Sequence, residues 1–534
     1  FGVRITIVRS GMAEENGSSQ RKGETSQEVT EEMEADISRY FENASRTIFD
    51  EIVSPRKEDF FDVQRGSGSR VPDFELLADQ SSEFLKGSSL LGNELLDHSS
   101  TNDVHRDVWI PSEQTRKILR SVATSTAGTT FLDRENLTMP GLAVQGDMPN
   151  LIKSSVARFL GEDESAQRHV LTASDVTQDE RGLRMLIQAG CYKAAINLSG
   201  RLLAVYGQGY GKINQSSKHS PHSLQLWYTR LALLTKLRQI DILENESKPF
   251  DNLDKPDMYF TFYPELYGTR PGSMASFSFR LLLAEIPMYC GKPKQALDNL
   301  YKVLATTNQI IANFSAGFNG DGSRVKVNPA EQEDVIRLWK GRRSRVLISI
   351  VNCAVSMKNY VLGIDILERL CESANWTPEQ MDALRASIGR LHLFLGDVMA
   401  AEKFLIDIHK KDSGPTVREL IDRGLMAVAH NSFQEAYKCF QAAEALDPSN
   451  IALINNMAVC LLYTGQLKTA VHLYENMITR NPVKSLQEPI LLNICTSYEL
   501  HTTHCKQPKL HLLSQLNRYK GDAVDIQCLK LPLN

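Results

Sequence analysis

Between residues 417 and 482, two stretches of the chain lie in register, Val417 onward matching Ile451 onward, and no other feature restricts the fold as tightly. Gly424 aligns with Ala458, Ala436 with Ala470, Phe440 with Tyr474, Ala443 with Met477 and Pro448 with Pro482. Each position has a steric reason. Two small residues per unit let a pair of helices approach. The large residue that follows fills the space to the next unit. The proline ends the second helix, because it has no amide hydrogen and clashes with the preceding turn. A helix pair that cannot bury its apolar face alone must stack on its neighbours, so the expected product is a solenoid.

That period, about 34 residues, is the one of the tetratricopeptide (TPR) repeat, two antiparallel helices per unit. The expected fold class is therefore all-α, a TPR-like helical-repeat solenoid. Looser copies precede the best pair. Phe277 to Val303 has Ala284 and Ala296 at the small positions, Gly291 at the turn and Leu300 as filler. Ser344 to Leu370 follows with Tyr360, Gly363 and Leu367, and 382–408 with Gly389, Gly396, Ala401 and Leu405. Leu491 and Tyr498 anchor a last partial unit. Upstream, Gly190 ends one helix and Tyr192-Lys193-Ala194-Ala195 opens the next, with Leu202 on its apolar face. Trp227, Leu231 and Leu234 form the stripe of a further helix. The solenoid is expected to begin near 176. Two long interruptions break it. The one at 248–276 carries Tyr259, Phe260, Phe262, Tyr263 and Tyr267 and is expected to be packed; the one at 312–334, rich in Gly, Asn and charge, is expected to be mobile.

A chain of 534 residues ordinarily divides into several domains, but a solenoid grows by adding units. The net charge of -4 and pI of about 6.4 exert no bulk attraction on nucleic acid or anionic lipid. No apolar run reaches the roughly 18 residues of a membrane span. The 9 cysteines contain no Cys-x-x-Cys pair and read as free thiols in a reducing cytosol, which makes sequons such as Asn197-Leu198-Ser199 irrelevant to glycosylation. Met12-Ala13-Glu14-Glu15 reads like a natural start, so 1–11 is taken as an upstream artefact.

The segment 1–107 is expected to be a disordered acidic tail. Acidic side chains outnumber basic ones there by about two to one, and no helical period persists. Its apolar islands, Asp59-Phe60-Phe61, Asp73-Phe74-Glu75-Leu76-Leu77 and Glu83-Phe84-Leu85, read either as incidental hydrophobics in a solvated linker or as short docking motifs. Ser54-Pro55 has the form of a proline-directed phosphorylation site. At Val108-Trp109-Ile110-Pro111 the composition changes, and Ser112 is placed to cap a helix through Ile118 and Leu119. The expected organisation is a tail at 1–107, an irregular strap at 108–170, N-terminal helical repeats with an aromatic loop at 171–311, a mobile loop at 312–334, and a C-terminal TPR array with capping helices at 335–534.

Little catalytic chemistry is legible. Gly207-Gln208-Gly209-Tyr210-Gly211-Lys212 resembles a phosphate loop only superficially. Tyr206 stands where the first glycine belongs, Ile213 replaces the magnesium-binding hydroxyl, and a helix precedes where a strand should. His501, His504 and Cys505 lie close together but lack a fourth metal ligand, so they read as a surface helix end. No cofactor, metal or catalytic residue is expected. The informative surface is the groove formed by the first helices of successive units. Candidate partner-binding residues are Trp109 of the strap with Ile421, Leu425, Val428, Asn455, Val459, Leu462 and Tyr463 of that groove. The groove set is mostly apolar and suits an amphipathic helix better than an acidic peptide. A second reading stays open, in which the C-terminal helices at about 507–518 fold back and fill it. The chaperone-type clamp for a C-terminal carboxylate needs Lys, Arg and Asn where Ile421 and Leu425 stand, which disfavours a heat-shock co-chaperone.

Several non-repeat stretches resemble the trafficking protein particle (TRAPP) complex subunit 12 family. They include Trp109-Ile110-Pro111-Ser112, Leu137-Thr138-Met139-Pro140-Gly141-Leu142-Ala143-Val144, the run at 170–180, and Gly190-Cys191-Tyr192 with the glycine-rich 207–212. Asn252-Leu253-Asp254-Lys255-Pro256-Asp257, Ala458-Val459-Cys460-Leu461-Leu462-Tyr463 and Gln527-Cys528-Leu529-Lys530-Leu531 complete the set. The resemblance covers about 107–534 and leaves the tail out. It implies a non-catalytic scaffold or accessory subunit of a TRAPP III-type membrane-tethering complex, acting in ER-to-Golgi vesicle transport and autophagy. Expected partners are other TRAPP subunits, especially the large arm subunits, and indirectly a Rab-type GTPase activated by the core subunits. No nucleic acid is expected, and membrane contact comes only through the complex. Expected localisation is cytoplasmic, and peripheral at the ER-Golgi intermediate compartment and Golgi. The alternative is a TPR adaptor for cargo or cytoskeletal partners outside any tethering complex.

Overall fold

The computed structural model describes residues 105–124, 133–251, 253–323, 329–373, 376, 378–406 and 415–532. Most of the expected tail, with Met12, Ser54-Pro55 and the aromatic islands, lies outside them. Among the described residues, β pairing is limited to two isolated bridges, Leu142 with Tyr210 and Tyr259 with Ser273. All else is helix, turn and loop, and none of the helices is long and apolar enough to cross a membrane.

The strap holds α1 (Glu113–Thr124), α2 (Leu151–Leu160) and α3 (Glu162–Ala166). The repeats begin with α4 (Glu180–Gln188) and α5 (Tyr192–Val205), then α6 (Pro221–Lys236), α7 (Ile240–Ser247) and the short α8 (Pro264–Tyr267). The array continues as α9 (Phe277–Tyr289), α10 (Pro293–Ser315), α11 (Pro329–Ser356), α12 (Tyr360–Ser373), α13 (Pro378–Leu395) and α14 (Val398–Ile406). The regular pair is α15 (Val417–Ala429), α16 (Phe433–Leu446), α17 (Ile451–Tyr463) and α18 (Leu467–Arg480). The short α19 (Pro482–Ser485), α20 (Glu488–His501) and α21 (Lys506–Tyr519) close the chain. From α9 onward the long helices pack consecutively on one another, as a TPR-like stack requires.

Local chemistry sets these boundaries. Thr416 and Glu419 form a reciprocal capping box at the start of α15, and Ser220 and Ser223 form one at α6, which also has Pro221 in its first turn. At the core of the regular pair the register is steric. Gly424 lies against the Phe440 ring, and a Cβ there would stand 2.5 Å from a ring carbon. Ala436, Ala443, Ala458 and Ala470 are all buried, as are Phe440 and Tyr474.

Two expected boundaries shift. The interruption at 312–334 is shorter than composition suggested, because α10 continues to Ser315 and α11 begins at Pro329. The glycine-rich turn between them is used for close approach. Gly320 backs onto Val108 and Phe314 with no room for a Cβ, and Asn313 donates its side-chain amide to the Gly320 carbonyl at 2.8 Å. The aromatic interruption at 248–276 packs as three 3-10 turns and α8, burying Tyr259 and Phe260 and setting the Arg270 guanidinium 4.2 Å from the Phe260 ring centre.

The strap is bolted to this aromatic loop by buried polar contacts. The Thr138 amide and hydroxyl donate to the Asp257 carboxylate at 2.6 and 3.0 Å. Thr115 donates to the Asp254 carbonyl at 2.7 Å, and Lys255 to the Leu137 carbonyl at 2.9 Å. Glu246 accepts two bonds from Arg230 and a third from the Ala143 amide. Burial raises the Asp257 carboxyl to about 6, opposed by the two Thr138 bonds, and lowers the neighbouring His219 imidazole to about 4.

The strap then reaches the far end of the array. Ile152 and Val156 of α2 are fully buried among Leu486, Ile490, Leu512, Leu513, Leu516 and Leu529. Just beyond α3, Arg168 donates from one nitrogen to the Leu516 and Asn517 carbonyls at 3.3 and 2.8 Å. Its other terminal nitrogen reaches the Lys520 and Gly521 carbonyls at 3.0 and 2.8 Å. The guanidinium thus gathers carbonyls at the end of α21, where the Leu516 carbonyl also accepts the Lys520 amide at 3.1 Å. Asp522 reciprocates. Its carboxylate accepts the Lys193 and Ala194 amides at 2.9 and 2.8 Å, capping the start of α5. Gly521 lies on the Gly190 backbone, and a Cβ there would stand 2.3 Å from the Gly190 carbonyl oxygen. The path of contacts therefore closes: Lys193 in the first repeat touches Asp522 in the last segment, 329 residues later.

Candidate partner-binding surface

The groove residues divide by depth. Ile421, Asn455 and Val459 are buried, while Leu425, Val428 and Leu462 are half-buried and Tyr463 is 56% exposed. The buried members do internal work. Asn455 accepts the Tyr474 hydroxyl at 3.0 Å and the Asn493 amide at 2.9 Å, so its side chain joins α17, α18 and α20. Ile421 packs among Phe440, Leu453 and Met457. What remains open to a partner from this set is Leu425, Val428, Leu462 and Tyr463. A shallow depression between α17 and α20 is lined by Val459, Leu462, Asn493, Thr496 and Ser497.

Trp109 lies in the chain's own core, not on a partner surface. It is buried, and the Arg280 guanidinium stacks 4.4 Å from its ring centre. Arg280 also donates to the Leu253 carbonyl at 3.0 Å and the Ser273 hydroxyl at 2.6 Å. A large indole that precedes a proline signals burial, and sequence cannot say whether the covering surface is the same chain or another.

The C-terminal stretch at 507–518, which lies in α21, does not fill the groove. α21 packs on α2, α19 and α20, away from Leu425 and Val428. Its Leu512, Leu513 and Leu516 bury the strap instead. His501 and His504 are exposed at the α20–α21 turn, where the His504 amide donates to the Thr502 hydroxyl.

The glycine-rich loop is a bracket for the strap. Gln208 is fully buried, and its carbonyl oxygen accepts the Trp227 indole N–H at 2.7 Å. The Gly209 carbonyl accepts the Leu142 amide at 3.2 Å. Gly207 and Gly211 adopt φ of 73° and 72°, which turns the chain back on itself. A side chain that holds a core tryptophan is not available to a phosphate.

One surface feature escaped the sequence reading. Phe394, one residue before the end of α13, stacks on Tyr360 with ring centres 5.5 Å apart; Tyr463 ends α17 and stacks on Phe433 at 4.6 Å. Both residues stand two places before the glycine that ends their helix, Gly396 and Gly465, and both are at least half exposed. Val361, next to Tyr360 at the start of α12, and Met399, just after Gly396 at the start of α14, are 67% and 71% exposed. The signal was available: a large apolar residue recurs at a fixed offset from the turn glycine.

The cysteines are buried or half-buried thiols with no disulfide. Burial pushes the Cys191, Cys460 and Cys495 thiols up to about 12, so none is poised as a thiolate nucleophile. Among the described residues no three of His, Cys, Asp and Glu gather as a metal site.

Known proteins match this pattern over most of its length. Mouse trafficking protein particle complex subunit 12 is 42% identical over 437 residues, covering 81% of this chain and 54% of the mouse protein. The human subunit 12 is 41% identical over 437 residues, covering 81% of this chain and 59% of the human one. This chain belongs to the subunit 12 family. It spans a little over half the length of the relatives it matches. No family model matches the sequence. Among solved structures, the APC/C hetero-tetramer Cut9-Hcn1 overlays with a TM-score of 0.29 at 12% identity, over 71% of this chain and 57% of that one.

Proposed function

We propose that the chain is a non-catalytic scaffold subunit of a TRAPP III-type tethering complex. The observation that carries this reading is the identity with subunit 12 over 437 residues, a length that must include strap as well as repeats. The fold supports it. A helical stack offers long contact surfaces, and buried polar groups such as Asp257, Glu246, Asn455 and Asp522 join segments of the chain to one another. In this role the chain holds other TRAPP subunits, the large arm subunits first, in the geometry that lets the core subunits activate a Rab-type GTPase. Its setting is ER-to-Golgi transport and autophagy, in the cytoplasm and at the ER-Golgi intermediate compartment and Golgi, with membranes met through the complex. Leu425, Val428, Leu462, Tyr463 and the turn-edge aromatics are the surfaces proposed for subunit contact.

The test is tagged full-length chain recovered from lysate and sized, with co-eluting proteins identified by mass spectrometry. Co-elution with TRAPP core and arm subunits far above the monomer mass of 59.9 kDa supports the reading. Elution alone, or only with motor or cytoskeletal proteins, moves the function to an adaptor outside the complex. Nucleotide exchange accelerated by the purified chain alone refutes the scaffold role.

A further inference from the structure

One edge of the array carries a pattern that packing does not require. Seven helix pairs are each joined through one residue at positive φ: Gly190, Arg238, Gly291, Lys358, Gly396, Asn431 and Gly465. Three residues on stands the second residue of the next helix. At five of these turns it is charged or polar: Lys193, Asp241, Lys294, Gln434 and Lys468. At the other two, in successive pairs, it is Val361 and Met399, 67% and 71% exposed. Lys294, Gln434 and Lys468 are exposed as well, so the stack forms without an apolar residue at this position. The residue before the turn glycine repeats the contrast. Leu395, 44% exposed, precedes Gly396, where Thr464 precedes Gly465. Apolar side chains held in water where the fold accepts lysine point to a use outside the fold.

These side chains form one patch. Tyr360, next to Val361, stacks on Phe394, next to Leu395, and Met399 follows three residues after Gly396. α12, α13 and α14 pack in succession, so the patch crosses three helix ends. Its size and surroundings select what can cover it. Val361, Phe394, Leu395 and Met399 together offer roughly 400 Å², the scale of a functional apolar patch on a monomer. A stable pairing of two copies buries about 800 Å² on each, which is more than this patch supplies. The charged rim is balanced. Lys358 and Asp397 flank it at the turns, Glu402 and Lys403 lie beyond Met399, and Asp365 pairs with Arg369 on α12. No basic excess is there to draw an anionic membrane or an acidic peptide. Strand addition needs a sheet edge, and this part of the array is helical. An amphipathic helix meets every condition. The row covers two interhelical spacings, at most about 20 Å. About 13 residues of helix span that length.

We propose that this patch seats one amphipathic helix of a partner protein, laid across the ends of α12, α13 and α14 with its apolar face on Val361, Phe394, Leu395 and Met399. The stacked Tyr360 and Phe394 rings give the seat a rigid floor, and the balanced rim meets the polar flanks of the helix. The seat rests on the scaffold role, in which another subunit supplies the helix, and narrows that role to one edge of the array and one kind of ligand.

The experiment uses the full chain carrying Val361→Lys and Met399→Lys together. Lysine is what Lys294 and Lys468 supply at the equivalent turns, so the variant is expected to keep its denaturation midpoint. If the midpoint falls, Val361→Gln with Met399→Gln, matching Gln434, takes its place. Parent and variant are tagged, recovered from lysate and sized. At least one TRAPP subunit that co-elutes with the parent is expected to fall by about 10-fold or more with the variant, the loss typical of a buried anchor. In the same lysate the photoreactive amino acid p-benzoylphenylalanine, in place of Met399, is irradiated. The cross-linked peptide is expected to come from that subunit and to carry apolar residues at i, i+3 or i+4, and i+7. A synthetic copy of it should bind the purified parent about 10-fold or more tightly than the variant. Co-elution of the same subunits in equal amounts with both chains overturns the seat and leaves the scaffold role standing. Cross-links to a second copy, to the chain's own residues or to a segment without helical spacing also overturn it. So do phosphatidylcholine vesicles that capture the parent and not the variant, because the ligand is then lipid. If the parent co-elutes with no TRAPP subunit, yet the peptide cross-linked at 399 is an amphipathic helix of another protein that binds the parent and not the variant, the scaffold role falls and the seat stands.

Discussion

The regular pair α15–α18 and the joint between α2, α5 and α21 are both tightly packed, yet different forces hold them. In the pair, register comes from volume: Gly424 under Phe440, and alanines where helices meet. Each contact lies within a unit or between neighbours. At the joint, four carbonyls share one guanidinium, two amides share one carboxylate, and two glycine backbones touch. The partners stand at opposite ends of the array: Lys193 and Asp522 are 329 residues apart in sequence. Nearest-neighbour packing propagates along an array, so damage there stays local. A joint that closes the array couples its two ends, so damage there should appear at both.

The hardest test of the local half is Phe440→Ala. Emptying a fully buried aromatic site costs about 3–5 kcal/mol. Hydrogen exchange should rise across α15 to α18 and leave α5 to α9 protected. Equal acceleration everywhere would show that the array opens as one unit and would erase the contrast.

Arg168→Met probes the joint. Burial already lowers the Arg168 pKa to about 10, with Asp522 among the groups opposing the shift. Losing its charge-assisted bonds should cost about 3 kcal/mol, on the scale of two such bonds. The distinguishing readout is simultaneous loss of exchange protection in α5 and α21. Loss in α21 alone would mean that Arg168 merely caps that helix.

Asp522→Ala sharpens the same point at lower cost. It removes the cap of α5 and should destabilise by about 1 kcal/mol, with the effect concentrated at 192–196 in exchange measurements. Asp522→Asn, which retains an acceptor, should lose less.

The smallest effect expected is the pH dependence of the exposed tie between α4 and α6. His222 meets Glu180 at 2.8 Å. The hydrogen bond to Glu180 raises the His222 pKa above its usual 6.5, and the hydrogen bond to His222 lowers the Glu180 pKa below its usual 4.5. The histidine contribution is full below about 6.5 and is lost as pH rises through its folded value. The glutamate contribution is full above about 4.5 and is lost as pH falls through its folded value. Both are present between those limits. For a half-exposed pair the gain is about 0.5 kcal/mol or less. The denaturation midpoint of His222→Ala, compared with the parent at pH 5.5 and pH 8.5, should differ only at the lower pH.

The sequence by itself determined the repeat. A glycine stands under Phe440 because nothing larger fits, and that constraint recurs wherever two helices must approach, so it is written as a period. It also determined that the aromatic loop would be packed, since five rings cannot all stay in water. Tertiary structure alone decided where Trp109 is buried, that Asn455 is an internal tie, that Gln208 holds Trp227, and that Arg168 of the strap and Asp522 of the C-terminal segment close the array. Those contacts are single polar pairings between segments distant in sequence. They have no period, their residue types also suit solvent-exposed positions, and a lone arginine carries no mark of which helix end it will cap.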